Sequence, residues 1–460
     1  MEIFEPSQEK YHRLLLISVN RYKVPYPVYP LGISYLKTYL HSHLDEFLIK
    51  TLDLNIDALE TLADTLRFFR PHYVGLSLRN IDDVNFFHQE SFINEYLHVT
   101  KVIRTHTSAI IILGGSGYSI FPQKLFEFLQ PDYGIQGEGE VSLARLLASL
   151  QTGTPDLTID GLVYRQDGTI RVNERSSFLT TPDLELESPW LPYYWDKAGM
   201  INIQTKRGCP YHCIYCTYPM IDGSRVRTLD PERIVHTIRT LYESKGIDHF
   251  FFTDSVFNIS PEYNETLSRK LISSGIPVKW GAYFAPFHLP YEQLELYARA
   301  GLTHIEFGTE SLSDRVLESY GKRFRTEEVV KVSGDCNKAG IYYCHFMILG
   351  GYGETEETLD ETFENSKRIS NTVFFPFQGM RVYPGTRLHQ ILLAEGHLNE
   401  NDPILEPFYY LAPEIDYTSL KSRAEKSGRR WVFPDEDLTL QIMRMRKRKR
   451  KGTLWHHLRY

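Results

Sequence analysis

Thr205-Lys206-Arg207-Gly208-Cys209-Pro210-Tyr211-His212-Cys213-Ile214-Tyr215-Cys216 is the stretch on which the reading of this chain turns. Its cysteines stand in the spacing Cys-x-x-x-Cys-x-x-Cys. Three thiolates can hold three irons of a cubane 4Fe–4S cluster and leave the fourth iron open to a substrate, which a four-cysteine electron carrier cannot do. Gly208 and Pro210 let the chain turn sharply around so bulky a group. A zinc knob is the alternative, with His212 or a distant residue as fourth ligand. His212 lies between two of the cysteines and is poorly placed for that, and zinc sites usually pair their ligands as C-x-x-C units.

Outward from the cysteines, apolar runs alternate with helical segments. Ile201–Thr205 reads as a strand that delivers the cysteine loop, followed by candidate strands at His249–Thr253, Val278–Ala282, His304–Phe307, Tyr342–Ile348 and Val373–Val382. Helices fall between them at Pro231–Ser244, Pro290–Ala300 and Thr326–Ala339, the prolines marking first helical turns. Six βα repeats predict a partial (β/α)6 TIM-like barrel with its site at the carboxyl ends of the strands.

Upstream, residues 1–155 predict a flavodoxin/Rossmann-like doubly wound domain. Its strands are Arg13–Val19, Phe47–Leu54, Tyr73–Leu78, Ala109–Leu113 and Tyr133–Ile135. Its helices are Leu31–His43, Asp57–Phe69, Asn85–Arg104, Gln123–Leu129 and Val141–Leu150. Residues 156–197 read as a hairpin (Ile159–Val172, turning at Asp167-Gly168) and a proline- and acid-rich linker (Thr181–Pro192). The barrel takes 198–400, and 401–460 form an irregular extension.

Composition excludes several classes. With 42% hydrophobic and 24% charged residues, the 460-residue chain is ordinary globular protein. A formal net charge of −7 gives no global pointer to nucleic acid. The start Met1-Glu2-Ile3-Phe4-Glu5 lacks a signal-peptide pattern, and no apolar run spans a bilayer. Five cysteines, three of them clustered, suit metal chemistry in a reducing cytoplasm; Cys336 and Cys344 read as core thiols.

The cysteine motif resembles the radical S-adenosylmethionine (radical SAM) superfamily, and later segments carry the resemblance through residues 200–390. Asp254 ends the second barrel strand, Glu306-Phe307-Gly308-Thr309-Glu310-Ser311 the fourth, and Gly350-Gly351-Tyr352-Gly353-Glu354-Thr355 follows the fifth. Tyr352 replaces the usual proline of that last turn, and Tyr383-Pro384-Gly385-Thr386 matches a late family segment. The resemblance implies that Cys209, Cys213 and Cys216 hold the cluster and that Tyr215 packs over it or over SAM. It implies further that Asp254, Glu310, Ser311, Gly350, Gly351, Gly353 and Glu354 face SAM.

A doubly wound domain before such a barrel resembles the cobalamin-binding members of the superfamily. The segments concerned are Ser77-Leu78-Arg79, Leu113-Gly114-Gly115-Ser116-Gly117 and Gly134-Ile135-Gln136-Gly137-Glu138-Gly139-Glu140. The first loop, Asn20–Gly32, contains no histidine to ligate cobalt. The resemblance places Arg79, Asn80, Gly114, Gly115, Ser116, Gly137 and Glu138 around cobalamin, with Arg79 or Asn80 lining the lower corrin face without binding cobalt. Arg79 pairing with Asp82 or Asp83 is the alternative.

The implied function is a cytoplasmic cobalamin-dependent radical SAM enzyme, a methyltransferase moving a methyl from SAM through cobalamin to a carbon of a small molecule, by a radical or a polar route. Its implied partners are that substrate and a reductant protein such as ferredoxin or flavodoxin. Two alternatives stand beside it: cyclisation, rearrangement or sulfur chemistry without methyl transfer, and a non-catalytic metal-stabilised binding protein. Trp280, Tyr283 and Phe284 at the barrel mouth would fit an apolar or aromatic substrate, but such aromatics are more often packing residues. The basic run Arg444–Lys451 reads as a solvated end, with contact to a phosphate-bearing partner as the alternative. Leu438–Met443 is apolar enough to dock on the barrel, and His456 and His457 lack nearby metal-ligand partners.

Overall fold

The computed structural model describes residues 11–180, 182–186 and 189–458. The reading of Met1–Glu5 and the linker residues Thr181, Glu187 and Ser188 lie outside the described residues. Two compact units form: Met1–Asp83, Glu90–Tyr193 and Met220–Gly223 make the first, and Val84–Gln89, Tyr194–Pro219 and Ser224–Tyr460 the second.

The first unit is built on β1 (His12–Ser18), β2 (Phe47–Asp53), β3 (Tyr73–Ser77), β4 (Ile110–Gly114) and β5 (Tyr133–Ile135), all parallel, in the order β2-β1-β3-β4-β5. Leu14–Ile17 in β1 are buried on both faces, which is why this strand reads as an unbroken apolar run. The hairpin is β6 (Leu162–Gln166) and β7 (Thr169–Val172), turning through Asp167 and Gly168 at φ 49° and 79°. It adds antiparallel strands to the edge at β5, so it belongs to this sheet. The helix expected over Asn85–Arg104 begins only at Ile93 and runs to His106. Val84 and Gln89 take left-handed φ of 52° and 47°, and Asp82 bridges Ser91, which interrupts helical pairing upstream.

The second unit begins with β8 (Ile201–Ile203) and a ribbon of β9 (Lys206–Arg207) with β10 (Arg227–Thr228). Then come β11 (His249–Phe252), β12 (Lys279–Phe284), β13 (Leu302–Glu310), β14 (Tyr342–Leu349) and β15 (Thr372–Gln378). A second ribbon pairs β16 (Met380–Arg381) with β17 (Tyr409–Tyr410), and β18 (Arg430–Trp431) comes last. The parallel sheet runs β8-β11-β12-β13-β14-β15-β18, an open partial barrel whose outer edge is extended by a strand from the carboxy-terminal extension. Helix Pro231–Lys245 shows the local logic: Asp230 caps it by accepting from the Glu232 amide, and Pro231 occupies the first turn. A helix at Pro261–Ser274, unmarked in the sequence reading, completes the second repeat.

Strand side chains alternate between barrel interior and helical shell. Trp280 and Phe284, expected at the mouth, point to the shell. Trp280 packs 4.9 Å from Phe252 and donates to the Ala300 carbonyl at 2.9 Å. Tyr283 alternates to the other face, beside Phe251. The extension is not a solvated end throughout. Met445, Leu454, Trp455 and Leu458 are buried, whereas Leu440 and Met443 of the expected docking segment are exposed. Arg444 and residues 447–450 face solvent, and Lys451 donates to the Trp195 carbonyl at 2.8 Å. His456 lies against Tyr342 at 3.9 Å.

Candidate functional site

The cysteine loop leaves β8 at the carboxyl edge of the barrel and turns through Gly208 at φ 87°. Its base is clamped from β11. Asp254 accepts hydrogen bonds from the amides of Thr205 (2.7 Å) and Lys206 (3.0 Å), from the Thr205 hydroxyl, and from the Lys206 ammonium at 2.8 Å. Burial pulls the Lys206 pKa down, and the Asp254 carboxylate opposes that. Both Asp254 oxygens are therefore spent inside the protein, at 1% exposure. The expectation that Asp254 meets SAM gives way to a positioning role: it fixes the strand end that launches the cysteines.

The loop's far side is pinned by the segment after β13. The Ile214 amide donates to the Tyr320 carbonyl at 3.1 Å, and the Leu388 amide to the Ile214 carbonyl at 2.8 Å. Tyr215 donates its hydroxyl to Glu310 Oε1 at 2.9 Å, and Lys322 Nζ reaches the same oxygen at 3.3 Å. Glu310 holds φ 68°, a conformation uncommon for a non-glycine residue and found at functional sites. Burial followed by the Glu310 charge holds the Tyr215 phenol well above its ordinary pKa. Burial alone would lower Lys322; Glu310 and the cysteine thiolates outweigh it and raise the ammonium. Ser311 is fully buried, paired with the Thr362 hydroxyl at 3.2 Å and accepting from the Ser313 amide, so it serves the loop and does not face a ligand.

Gly350, Gly351 and Gly353 form the turn after β14. Its carboxylate, Glu354, accepts from the Gly350 amide through one oxygen, while the other, Oε1, is buried without a partner. Burial pushes Glu354 up to about 7. The Tyr320 hydroxyl, against Gly351, is also buried without a partner. Tyr320 stands within electrostatic reach of both Glu354 and Glu310.

This wall fits SAM, a ligand carrying both an ammonium and a carboxylate. Two orphaned buried oxygens, those of Glu354 and Tyr320, await partners, and Glu310 adds an acceptor. The thiols fit a cluster equally well. Burial and the neighbouring Cys213 charge push the Cys216 thiol up to about 12, and a cationic iron core relieves both penalties. Among the described residues no three His, Cys, Asp or Glu side chains converge on the position of a single ion; a cubane spreads its three thiolates over three irons. His212 is exposed.

In the first unit, the loops after β3, β4 and β5 share the carboxyl edge of the sheet, where doubly wound domains bind ligands. Gly114 accepts from the Leu78 amide at 2.8 Å. Gly115 sits at φ 99°, and a Cβ there would lie 2.6 Å from the Leu78 carbonyl oxygen, so only glycine fits. Ser116 donates to the Arg79 carbonyl at 2.9 Å, and Arg79 itself is exposed. Asn80 receives the Tyr96 hydroxyl on its backbone carbonyl, while its side-chain Oδ1 is buried without a partner. Gly137 donates to the Ser119 hydroxyl at 2.7 Å and lies against the Arg175 side chain; Glu138 accepts from the Leu179 amide at 3.0 Å. A tight glycine cradle with an orphaned amide oxygen at the right edge fits a large amide-bearing ligand such as cobalamin.

Lys206, Tyr320 and Lys322 went unread in the sequence. Lys206 had a signal, since it stands three residues before Cys209. Lys322 and Tyr320 had none, because only the fold brings their loop beside the cysteines.

Comparison with known proteins agrees with this geometry. A model of the radical SAM superfamily matches residues 203–365, and one of the B12 binding domain matches residues 17–147. An uncharacterized methyltransferase of Pyrococcus horikoshii is 24% identical over 84% of this chain and 85% of its own. The tryptophan 2-C-methyltransferase of Streptomyces laurentii is 25% identical over 80% of this chain and 72% of its own. Among solved structures, the radical S-adenosylmethionine methyltransferase TsrM of Kitasatospora setae, with cobalamin and a [4Fe-4S] cluster bound, superposes with a TM-score of 0.85. That likeness, at 22% identity, covers 98% of this chain and 97% of TsrM, and it is one of fold. With a B12-binding domain on the first unit and a radical SAM domain on the second, the chain belongs to the cobalamin-binding radical SAM superfamily.

Proposed function

We propose that this enzyme is a methyltransferase that moves a methyl group from S-adenosylmethionine through cobalamin to a carbon of a small molecule. One observation carries the reading: the same chain bears a clamped three-cysteine loop facing an acid-and-lysine wall, and a glycine cradle whose first loop offers cobalt no histidine. The bound cofactors supply the chemistry, the cluster an electron that cleaves a carbon–sulfur bond of SAM and the corrin a site through which a methyl passes. The protein contributes position and exclusion of water. Asp254 and Lys206 fix the loop, Tyr215 and Lys322 hold Glu310 at its strained backbone, and Glu354 and Tyr320 offer the polar atoms that SAM would satisfy. The methyltransferase names of the relatives from Pyrococcus and Streptomyces support this reading.

The electron comes, on this reading, from a ferredoxin- or flavodoxin-type protein in a reducing cytoplasm, and nucleic acid is not a partner. No helix among the described residues is long and apolar enough to cross a membrane. Anaerobic incubation of the reconstituted protein with SAM and a strong reductant tests the proposal. S-adenosylhomocysteine and a product heavier by one methylene are expected. 5′-Deoxyadenosine with no gain of methylene would favour cyclisation or rearrangement; neither nucleoside, across candidate substrates, would reject turnover.

A further inference from the structure

On β13 the residues that alternate inward are His304, Glu306, Gly308 and Glu310, while Phe307 points to the shell and stacks on His345. Glu306 is therefore a carboxyl inside the barrel. Its exposure is 5%, and its one hydrogen-bond partner among the described residues is Trp455, whose Nε1 donates to Oε1 at 2.9 Å. Trp455 comes from the carboxy-terminal extension, is 4% exposed, and meets His304 edge-on at 5.9 Å. The second carboxyl oxygen has no protein donor among the described residues. That oxygen is not among the fully buried unpaired atoms, and a carboxyl with a donor on one side only can accept from a donor on the other.

The neighbouring strands supply the surroundings. Tyr283 of β12, Phe346 of β14, and Phe375 and Phe377 of β15 are half-buried rings. Phe346 lies 5.6 Å from Phe375 and 6.2 Å from Phe377, so these rings form one apolar wall. Burial pushes Glu306 up to about 7 and His304 down to about 3, so no cation on β13 competes for the carboxyl.

We propose that the barrel interior is the substrate chamber and that Glu306, oriented by Trp455, receives a hydrogen-bond donor on a flat, largely apolar, ring-bearing substrate. The rings would cover the apolar body, and the free oxygen of Glu306 would select an N–H or O–H at its edge. This deepens the proposed function by naming the class of acceptor. Glu306 is the recognition residue and Trp455 a positioning residue.

The test uses the full reconstituted chain and two probes, indole and 1-methylindole, with affinities from saturation-transfer NMR. Indole has the donor; its methylated form has the same ring without it. Wild-type protein is expected to bind indole about tenfold more tightly, the worth of one hydrogen bond to a buried carboxyl. Glu306→Leu is expected to abolish that preference, and Glu306→Gln, which keeps an acceptor oxygen, to retain it. Trp455→Phe is expected to shrink the preference while leaving 1-methylindole affinity unchanged, a split that a merely structural role would not produce. Equal binding of the probes to wild type, absence of binding by both, or a preference that survives in Glu306→Leu would each overturn the assignment. S-adenosylhomocysteine formation by wild type without a probe reports separately on the proposed function. Ring selection without it leaves the chamber standing and rejects methyl transfer; the converse rejects the chamber alone.

Discussion

Lys206, three residues before the first cysteine, and Asp254 are joined by a 2.8 Å ion pair whose side chains are each 1% exposed. The ammonium also lies 4.2 Å from the centre of the Phe257 ring. Removing one partner of such a pair strands a charge where water cannot reach it. Asp254→Ala is expected to cost about 3–5 kcal/mol and to leave the protein unable to retain iron. Lys206→Met with Asp254→Asn removes both charges while keeping an acceptor for the two loop amides, and it should recover most of that stability. Chemical denaturation and iron analysis after anaerobic reconstitution check both.

The thiols divide sharply. Replacing Cys209, Cys213 or Cys216 with alanine should reduce cluster iron and its visible absorbance to background. Cys336 is fully buried on the helix Thr326–Lys338, and burial raises its thiol well above its ordinary pKa. Cys336→Ala should keep the full cluster content, at a cost limited to packing.

In the first unit, Gly115→Ala forces a side chain against the Leu78 backbone at positive φ. A loss of about 2 kcal/mol or more is expected, together with weakened cobalamin binding, measured by denaturation and by titration with hydroxocobalamin. Arg79→Ala should change the absorbance or the affinity of bound cobalamin. An unchanged spectrum with unchanged affinity would remove Arg79 from the corrin face.

Glu306 makes stability depend on pH in a known direction. Its folded-state pKa is raised from 4.5 to about 7, so the folded protein holds a proton there that the unfolded chain releases. That contribution is fully present below pH 4.5 and is lost as pH rises toward about 7; the loss is on the order of 3 kcal/mol. Glu306→Gln should flatten this part of the profile, so its stability relative to wild type improves between pH 5 and pH 7, roughly the window the linkage relation sets. Melting curves across that range measure it.

The extension divides into a buried end and an exposed basic run. Trp455→Ala should destabilise the second unit by about 3–5 kcal/mol, as for a large core truncation. Neutralising Lys447 and Arg448 together should change stability by no more than about 0.5 kcal/mol each.

Much of this was readable from local pattern. Buried parallel strands are continuous apolar runs, so β1, β3 and β14 lay within a residue of their expected positions. The cysteine spacing, the glycine loop and the Asp167-Gly168 turn are all short-range signals. What could not be read depends on distance in sequence. Asp254 looked like a ligand because it ends a strand with a carboxylate; that Lys206 and Thr205 consume it is a property of β8 and β11 lying side by side. Trp280 and Phe284 looked available because an aromatic run does not declare which face it turns inward. The helix expected from Asn85 failed because Val84 and Gln89 adopt left-handed backbone, which side-chain pattern does not encode.

The Trp455–Glu306 contact spans 149 residues. On a ribosome adding about 5–20 residues per second, that separation amounts to on the order of ten seconds. Every strand from β8 to β15 is synthesised before the residue that covers the carboxyl in their midst. The second unit is thus a vessel whose base is fitted last, and a chain stopped short after β15 would carry all its cysteines, all six barrel strands and an open bottom.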